Sequence, residues 1–238
     1  MSALQGAVVA VAGAGGGAGP ALAHRLAQSG ALVAVADADR AKAARVADDV
    51  TANGGQAEAS EVDLLDLAAT RAWADDLQAR HGRVDGLVHL VGGWKGGKSL
   101  VESHLDDWTA LEGPLVRTVQ RTSQAFHDPL RAAPAGRFVL VSSREATDPG
   151  QSNAAYAAAK AAAETWTLAL ADAFRDSSAA ASIIVVKALL TPAMQESRPD
   201  AAFDGFTPVA DLAEQIAGLW DRPTDAVNGA RLWMTEKP

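Results

Sequence analysis

Six apolar residues, Ala7-Val8-Val9-Ala10-Val11-Ala12, run straight into Gly13-Ala14-Gly15-Gly16-Gly17-Ala18-Gly19. An apolar run bounded by turn residues reads as a strand buried on both faces. The residues beyond read as a helix through about Gln28, with Pro20 early in it, where a missing N–H costs little. Strand, glycine turn and helix in that order present backbone N–H groups and a helix N-terminus to a pyrophosphate. Two spacings are met, Gly13-x-Gly15-x-x-Ala18 and Gly13-x-x-x-Gly17-x-Gly19. A glycine run alone is a flexible turn; its place between strand and helix makes it a dinucleotide cradle.

Ala31 to Ala36 is a second buried strand, ended by Asp37. An acid about 20 residues after the glycines is placed to accept from the adenosine ribose hydroxyls and to repel a 2′-phosphate. No Lys or Arg lies within the glycine turn, so NAD is expected over NADP, with Arg40 as the residue that argues the other way. Asp37 could instead cap the helix over 39–50. The alternation continues: helix 39–52, strand 56–62, helix 66–80, strand 84–91, a helical region 104–130, strand 137–141, helix 153–174, strand 183–186, helix 209–220 and a last strand 231–234. Pro114 cannot donate to the carbonyl of Ala110, so a kink or break is expected at Gly113-Pro114. Residues 189–206 read as irregular and apolar, suited to covering a substrate. Strands alternating with helices define an α/β fold with a doubly wound parallel sheet.

In such a sheet ligands bind at the carboxyl ends of the strands. Ser142-Ser143 follows the apolar run 137–141, and Tyr156-Ala-Ala-Ala-Lys160 puts a phenol and an ammonium on one helical face. Lowering a Tyr pKa of about 10 by about 3 units takes roughly 4 kcal/mol. An ammonium about 5 Å away supplies roughly 3 kcal/mol at an effective dielectric of about 20. An oxidised nicotinamide could supply the rest. A serine hydroxyl holding the substrate oxygen beside the Tyr completes a site for interconverting carbonyl and alcohol by hydride transfer. The Tyr-x-x-x-Lys spacing alone also fits an ordinary alanine-rich helix.

At 238 residues the chain is long enough for one α/β domain, expected over 1–238. A net charge of −8 argues against a nucleic-acid surface. There is no cysteine, so thiolate metal sites and disulfides are excluded. No metal is expected. The start of the sequence has no basic stretch followed by an apolar core, and no apolar run reaches membrane-spanning length. A cytoplasmic protein without a membrane partner is expected.

In these motifs and their order the whole chain resembles the short-chain dehydrogenase/reductase family, which binds NAD(P) on a seven-stranded Rossmann-type sheet. The match rests on Gly13-x-x-x-Gly17-x-Gly19, Asp37, Asp63 after strand three, Gly92 after strand four, Ser143, Tyr156 and Lys160. The resemblance implies Tyr156 as general acid/base, Ser143 as orienter of the substrate oxygen, and Lys160 as pKa-lowering group and ribose ligand. Ser143 is preferred to Ser142 because it stands thirteen residues before Tyr156, the family interval. Asp63 is implied to contact adenine and Thr191 the nicotinamide carboxamide. Homodimers or homotetramers that pair the two long helices are implied as well. Three departures stand out. His89-Leu90-Val91-Gly92 replaces Asn-Asn-Ala-Gly. Val186-Lys187-Ala188 stands near the place of a Pro-Gly pair. Leu115 stands where the family carries a catalytic Asn that helps hold a relay water, a role that the Ala110 carbonyl could take over at a kink. Expected functions are therefore an alcohol dehydrogenase or ketone reductase, or alternatively a dinucleotide-binding member with little turnover acting as a regulatory or assembly subunit. Trp94, Arg144, Leu189, Met194, Phe203 and Phe206 are expected around an apolar small-molecule pocket with one cationic wall.

Overall fold

The computed structural model describes residues 2–237; Met1 and Pro238, the ends of the expected 1–238 unit, lie outside the described residues. β1 (Val8–Ala12) is buried along its whole length, as its unbroken apolar sequence requires. It leads through the glycine turn into α1 (Gly19–Gln28), then β2 (Leu32–Asp37), α2 (Arg40–Ala52), β3 (Gln56–Glu61), α3 (Leu67–His81) and β4 (Gly86–His89). α4 (Asp106–Glu112), α5 (Thr118–Ala132), β5 (Arg137–Ser143), α6 (Ala154–Ala173) and β6 (Ala180–Val186) follow. The chain closes with β7 (Leu189–Leu190), α7 (Pro192–Ser197), β8 (Thr207–Pro208), α8 (Val209–Ala217), α9 (Thr224–Val227) and β9 (Arg231–Trp233).

Seven strands form one parallel sheet in the order β3-β2-β1-β4-β5-β6-β9. The fold is the expected Rossmann-type α/β sheet flanked by helices. Two apolar layers cover it. Leu22, Leu26, Val46, Val50, Leu212 and Ile216 pack α1, α2 and α8 on one face. Trp73, Leu77, Phe126, Leu130, Leu170 and Phe174 pack α3, α5 and α6 on the other, with Trp73 edge-on to Phe126 at 4.9 Å. The order reverses between β1 and β4, which opens a crevice at their carboxyl ends. Val9 is paired with Gly86 and Ala12 with His89, so the turns after both strands emerge side by side.

Several boundaries differ from the sequence reading. β4 ends at His89 rather than at Val91, β5 extends through Ser142-Ser143, and β6 begins at Ala180. The Gly113-Pro114 interruption is one wide π turn, Gly113–Arg117, that passes directly into α5. Thr118 N–H donates to the Gly113 carbonyl across it, so the extra residue is absorbed without a break. The stretch 189–206 is less irregular than expected: Thr191 caps α7, and β7 pairs with β8 in a small ladder of its own. Asp37 does not cap α2. Asp39 does, accepting from the N–H groups of Ala41 and Lys42.

Candidate active site

The glycine turn sits at the sheet's reversal point. Gly13 has φ 76°, and a Cβ there would lie 2.9 Å from the Val91 nitrogen. A Cβ on Gly17 would lie 2.9 Å from Cγ2 of Thr191, so any side chain at either place would close the crevice between them. Gly19 serves packing instead: its Cβ would collide with the Ala14 carbonyl at the start of α1. Ala18 is the buried residue that precedes α1.

Two cavities flank this turn. One, of about 310 Å³, is lined by Gly13, Gly17, Gly92, Tyr156, Lys160 and Thr191. The other, of about 180 Å³, is lined by Asp37, Asp63, Pro114 and Thr118 and shares Gly13 and Val91 with the first. The crevice is therefore elongated, with acids at one end, phenol and ammonium at the other, and bare backbone between. These residues fit a dinucleotide. Asp37 is held by the Gly15 N–H at 3.0 Å on one oxygen and the Asp39 N–H at 3.0 Å on the other. A carboxylate has about four acceptor positions, so ribose hydroxyls can still reach it. Asp63 accepts from Leu65 N–H at 2.8 Å. Gly15 thus acts by fixing Asp37. Lys42, which the sequence reading passed over, brings its Cβ to 2.6 Å from where a Gly15 Cβ would stand. It gives the acid end a nearby cation besides Arg40. Its signal was the α2 register, one turn beyond Asp39.

At the other end α6 carries Tyr156 and Lys160. The Lys160 ammonium donates to the Val141 carbonyl at 2.9 Å and lies 5.9 Å from the centre of the Tyr156 ring. Burial depresses Lys160 to about 8, against the pull of Glu164 in the other direction. Tyr156 departs from the expectation: its pKa is raised, not lowered. Burial is the main cause, the Ser143 hydroxyl pulls the other way, and the Glu145 charge adds to the rise. The two serines divide the work. Ser143 is buried and acts on Tyr156, whereas Ser142 lines the cavity and donates to Glu164 at 2.6 Å. Glu164, 2% exposed, is held on its second oxygen by Arg231 Nε at 2.7 Å. Neither Glu164 nor Arg231 was found from sequence, although Glu164 lies one helical turn beyond Lys160.

Leu115, at the position of the family Asn, is buried with Leu111 and Ala159 beside Tyr156, an apolar wall. His89, 1% exposed, meets Thr118 Oγ1 at 3.1 Å. Leu189 and Met194 line the larger cavity as expected. Trp94, Arg144, Phe203 and Phe206 do not. Trp94 is exposed and donates to Asn153, Arg144 pairs with Asp148, and the two phenylalanines pack on each other. Lys187 lines the cavity instead, at the end of β6. Among the described residues no cluster of metal-ligating side chains occurs, and no helix is long and apolar enough to cross a membrane.

A parallel sheet with a glycine turn at its reversal point and a Ser-Tyr-Lys group at its strand ends defines a nucleotide-binding oxidoreductase fold. A family model described as short chain dehydrogenase matches residues 7–202, and the chain belongs to that family. The 2,3-dihydro-2,3-dihydroxybenzoate dehydrogenase of Bacillus subtilis is 32% identical over 168 residues, 70% of this chain and 64% of the relative. The chain thus spans less than two thirds of that curated relative. A short chain dehydrogenase from Burkholderia cenocepacia in complex with NADP superposes with a TM-score of 0.84 at 31% identity, covering 99% of each chain. A 3-ketoacyl-(acyl-carrier-protein) reductase from Brucella melitensis complexed with NADH gives 0.83 at 26% identity, covering 98% of each.

Proposed function

We propose that this protein transfers a hydride between a nicotinamide cofactor and a secondary alcohol or ketone, with NAD preferred to NADP. The observation that carries the reading is the single cavity in which Tyr156, Lys160 and Ser142 face the glycine cradle. Gly13, Gly17, Ala18, Gly92 and Thr191 would hold the nicotinamide and pyrophosphate, with Gly15 and Gly19 shaping the turn around them, and Asp37 and Asp63 would hold the adenosine. When bound, that cofactor supplies or accepts the hydride. Tyr156 exchanges its phenolic proton with the substrate oxygen, which Ser143 orients. Lys160 would contact the ribose and favour the phenolate electrostatically. The raised pKa of Tyr156 keeps it protonated at neutral pH, the form that donates to a carbonyl oxygen. Residues 1–238 would act as one such unit with segment 188–207 over the substrate. A cytoplasmic homodimer or homotetramer is the expected form.

The test is a paired fluorescence titration with NADH and NADPH, repeated on Tyr156→Phe. Tighter NADH binding supports the role of Asp37; tighter NADPH binding would place Lys42 or Arg40 in control. In carbonyl reduction Tyr156→Phe should lower turnover by about 100-fold or more while cofactor affinity stays within about twofold. Cofactor binding with no turnover of any carbonyl or alcohol would instead favour a regulatory or assembly subunit, a reading that the apolar Leu115 wall also permits.

A further inference from the structure

His89 is a buried histidine that the reaction as described does not use. The direction of its hydrogen bonds can be assigned. Thr118 Oγ1 donates its only proton to the Pro114 carbonyl at 2.7 Å. Toward His89, 3.1 Å away, it can only accept, so His89 Nε2 carries the ring proton and donates. Nδ1 is then a bare lone pair, buried, with no hydrogen-bond partner. A buried acceptor left unpaired is unfavourable, so Nδ1 calls for a donor. The Lys160 ammonium sits on the Val141 carbonyl, one residue beyond Leu140, which is the register partner of His89 on the neighbouring strand. Its ammonium has three donors, of which one goes to Val141. An unused acceptor on β4 therefore stands across one strand spacing from unused donors held at the end of β5.

We propose that one water links the Lys160 ammonium to His89 Nδ1, and that His89 and Thr118 conduct protons between Lys160 and the cavity beside Asp37. This rests on the oxidoreductase reading. Thr118 and Pro114 line that cavity, so the path Lys160–His89–Thr118 joins the two ends of the crevice. In the outward step an N–H bond of Lys160 breaks as an O–H bond forms on the bridging water, and one of that water's own O–H bonds breaks as an N–H bond forms at Nδ1. The Nε2–H bond breaks as a new O–H forms on Thr118. The original Thr118 proton turns away from Pro114 and passes to a water in the cavity. His89 is left as the Nδ1–H tautomer, from which the reverse sequence brings a proton in. Burial holds His89 far below its ordinary value, at about 3, so it passes protons without resting as a cation. The π turn contributes the geometry, because Thr118 and the Pro114 carbonyl belong to it and its exit. The path offers a route where Leu115 provides no amide.

The groups that face the pair are Tyr156 and Glu164 on α6, Ser142 on β5 and Thr118 on α5. Glu145 acts on Tyr156, and Arg231 on β9 holds Glu164. The test reads imidazole nitrogens by NMR in 15N-histidine-labelled protein without substrate, with His89→Asn for assignment. Expected are an Nε2–H tautomer from pH 5 to 9 and an Nδ1 signal shifted by a hydrogen bond that Lys160→Met abolishes. An Nδ1–H tautomer, or a signal indifferent to Lys160→Met, overturns the proposal. In turnover, His89→Asn and Thr118→Val should each lose roughly tenfold or more in kcat with the KM for NADH unchanged. Imidazole buffer should recover part of the His89→Asn loss. Full turnover in both variants overturns the conduit even with the tautomer as expected. The spectrum does not depend on turnover, so wild-type protein that shows the linkage but reduces nothing refutes the oxidoreductase reading and, with it, the conduit's purpose.

Discussion

Burial, more than charge pairing, sets the acid–base character of the individual residues. It raises Tyr156, lowers Lys160 to about 8 and lowers His89 to about 3. The Lys160 shift has a consequence for stability. Between about pH 8 and 10.5 the unfolded chain binds more protons at this lysine than the native chain. Its contribution to stability therefore rises with pH across that window, by about 3 kcal/mol, and is lacking below it. Urea unfolding of wild type and Lys160→Met at pH 7.5 and 10 should show the difference moving in favour of wild type at the higher pH. An unchanged difference would mean that Lys160 is not desolvated. Tyr156, Lys160 and the glycines were legible in sequence because their chemistry is tied to spacing along one strand-turn-helix. His89, Glu164 and Thr118 were not. Their roles depend on which distant residues are packed against them, and Glu164 four residues after Lys160 reads equally well as a surface ion pair.

At the level of elements, the strands were readable because each is buried on both faces and hence almost uniformly apolar. The two edge strands are the exceptions: neither β3 nor β9 has a fully buried residue, and Glu58 on β3 pairs with Arg80. Boundaries were less legible, since β5 continues through two serines that hydropathy takes as a stop. The region of Gly113-Pro114 was recognised as irregular, but proline signals only a missing donor. The surrounding packing of Leu111 and Leu115 decides that the chain widens into a π turn rather than breaking. Pro114→Ala should return a donor toward the Ala110 carbonyl and relax the turn toward regular helix. The expected outcome is a urea midpoint raised by the equivalent of about 1 kcal/mol. Turnover should fall, because a straighter helix rotates Thr118 away from His89. A variant with wild-type turnover and wild-type stability would show that the π turn owes nothing to Pro114.

Over the whole molecule, the last strand is tied to the candidate site through one buried carboxylate. β9 lies at one edge of the sheet; that it is a strand was readable from sequence, but neither its edge position nor its link to α6 was. Arg231 reaches from β9 to Glu164, whose other oxygen takes the Ser142 hydroxyl, and Glu164 in turn supports the charge of Lys160. The carboxylate is buried while the guanidinium is 37% exposed, so the two partners are unequal. Removing the cation strands an anion in the interior, whereas removing both leaves little to satisfy. Arg231→Leu should therefore cost about 3 kcal/mol in urea unfolding, and Glu164→Gln with Arg231→Leu together less than Arg231→Leu alone. The double variant should keep its fold while its Lys160 loses a supporting charge, which moves the alkaline limb of turnover to lower pH. If Arg231→Leu proves as stable as wild type, water reaches Glu164 from the sheet edge, and the C-terminal strand does not hold the site.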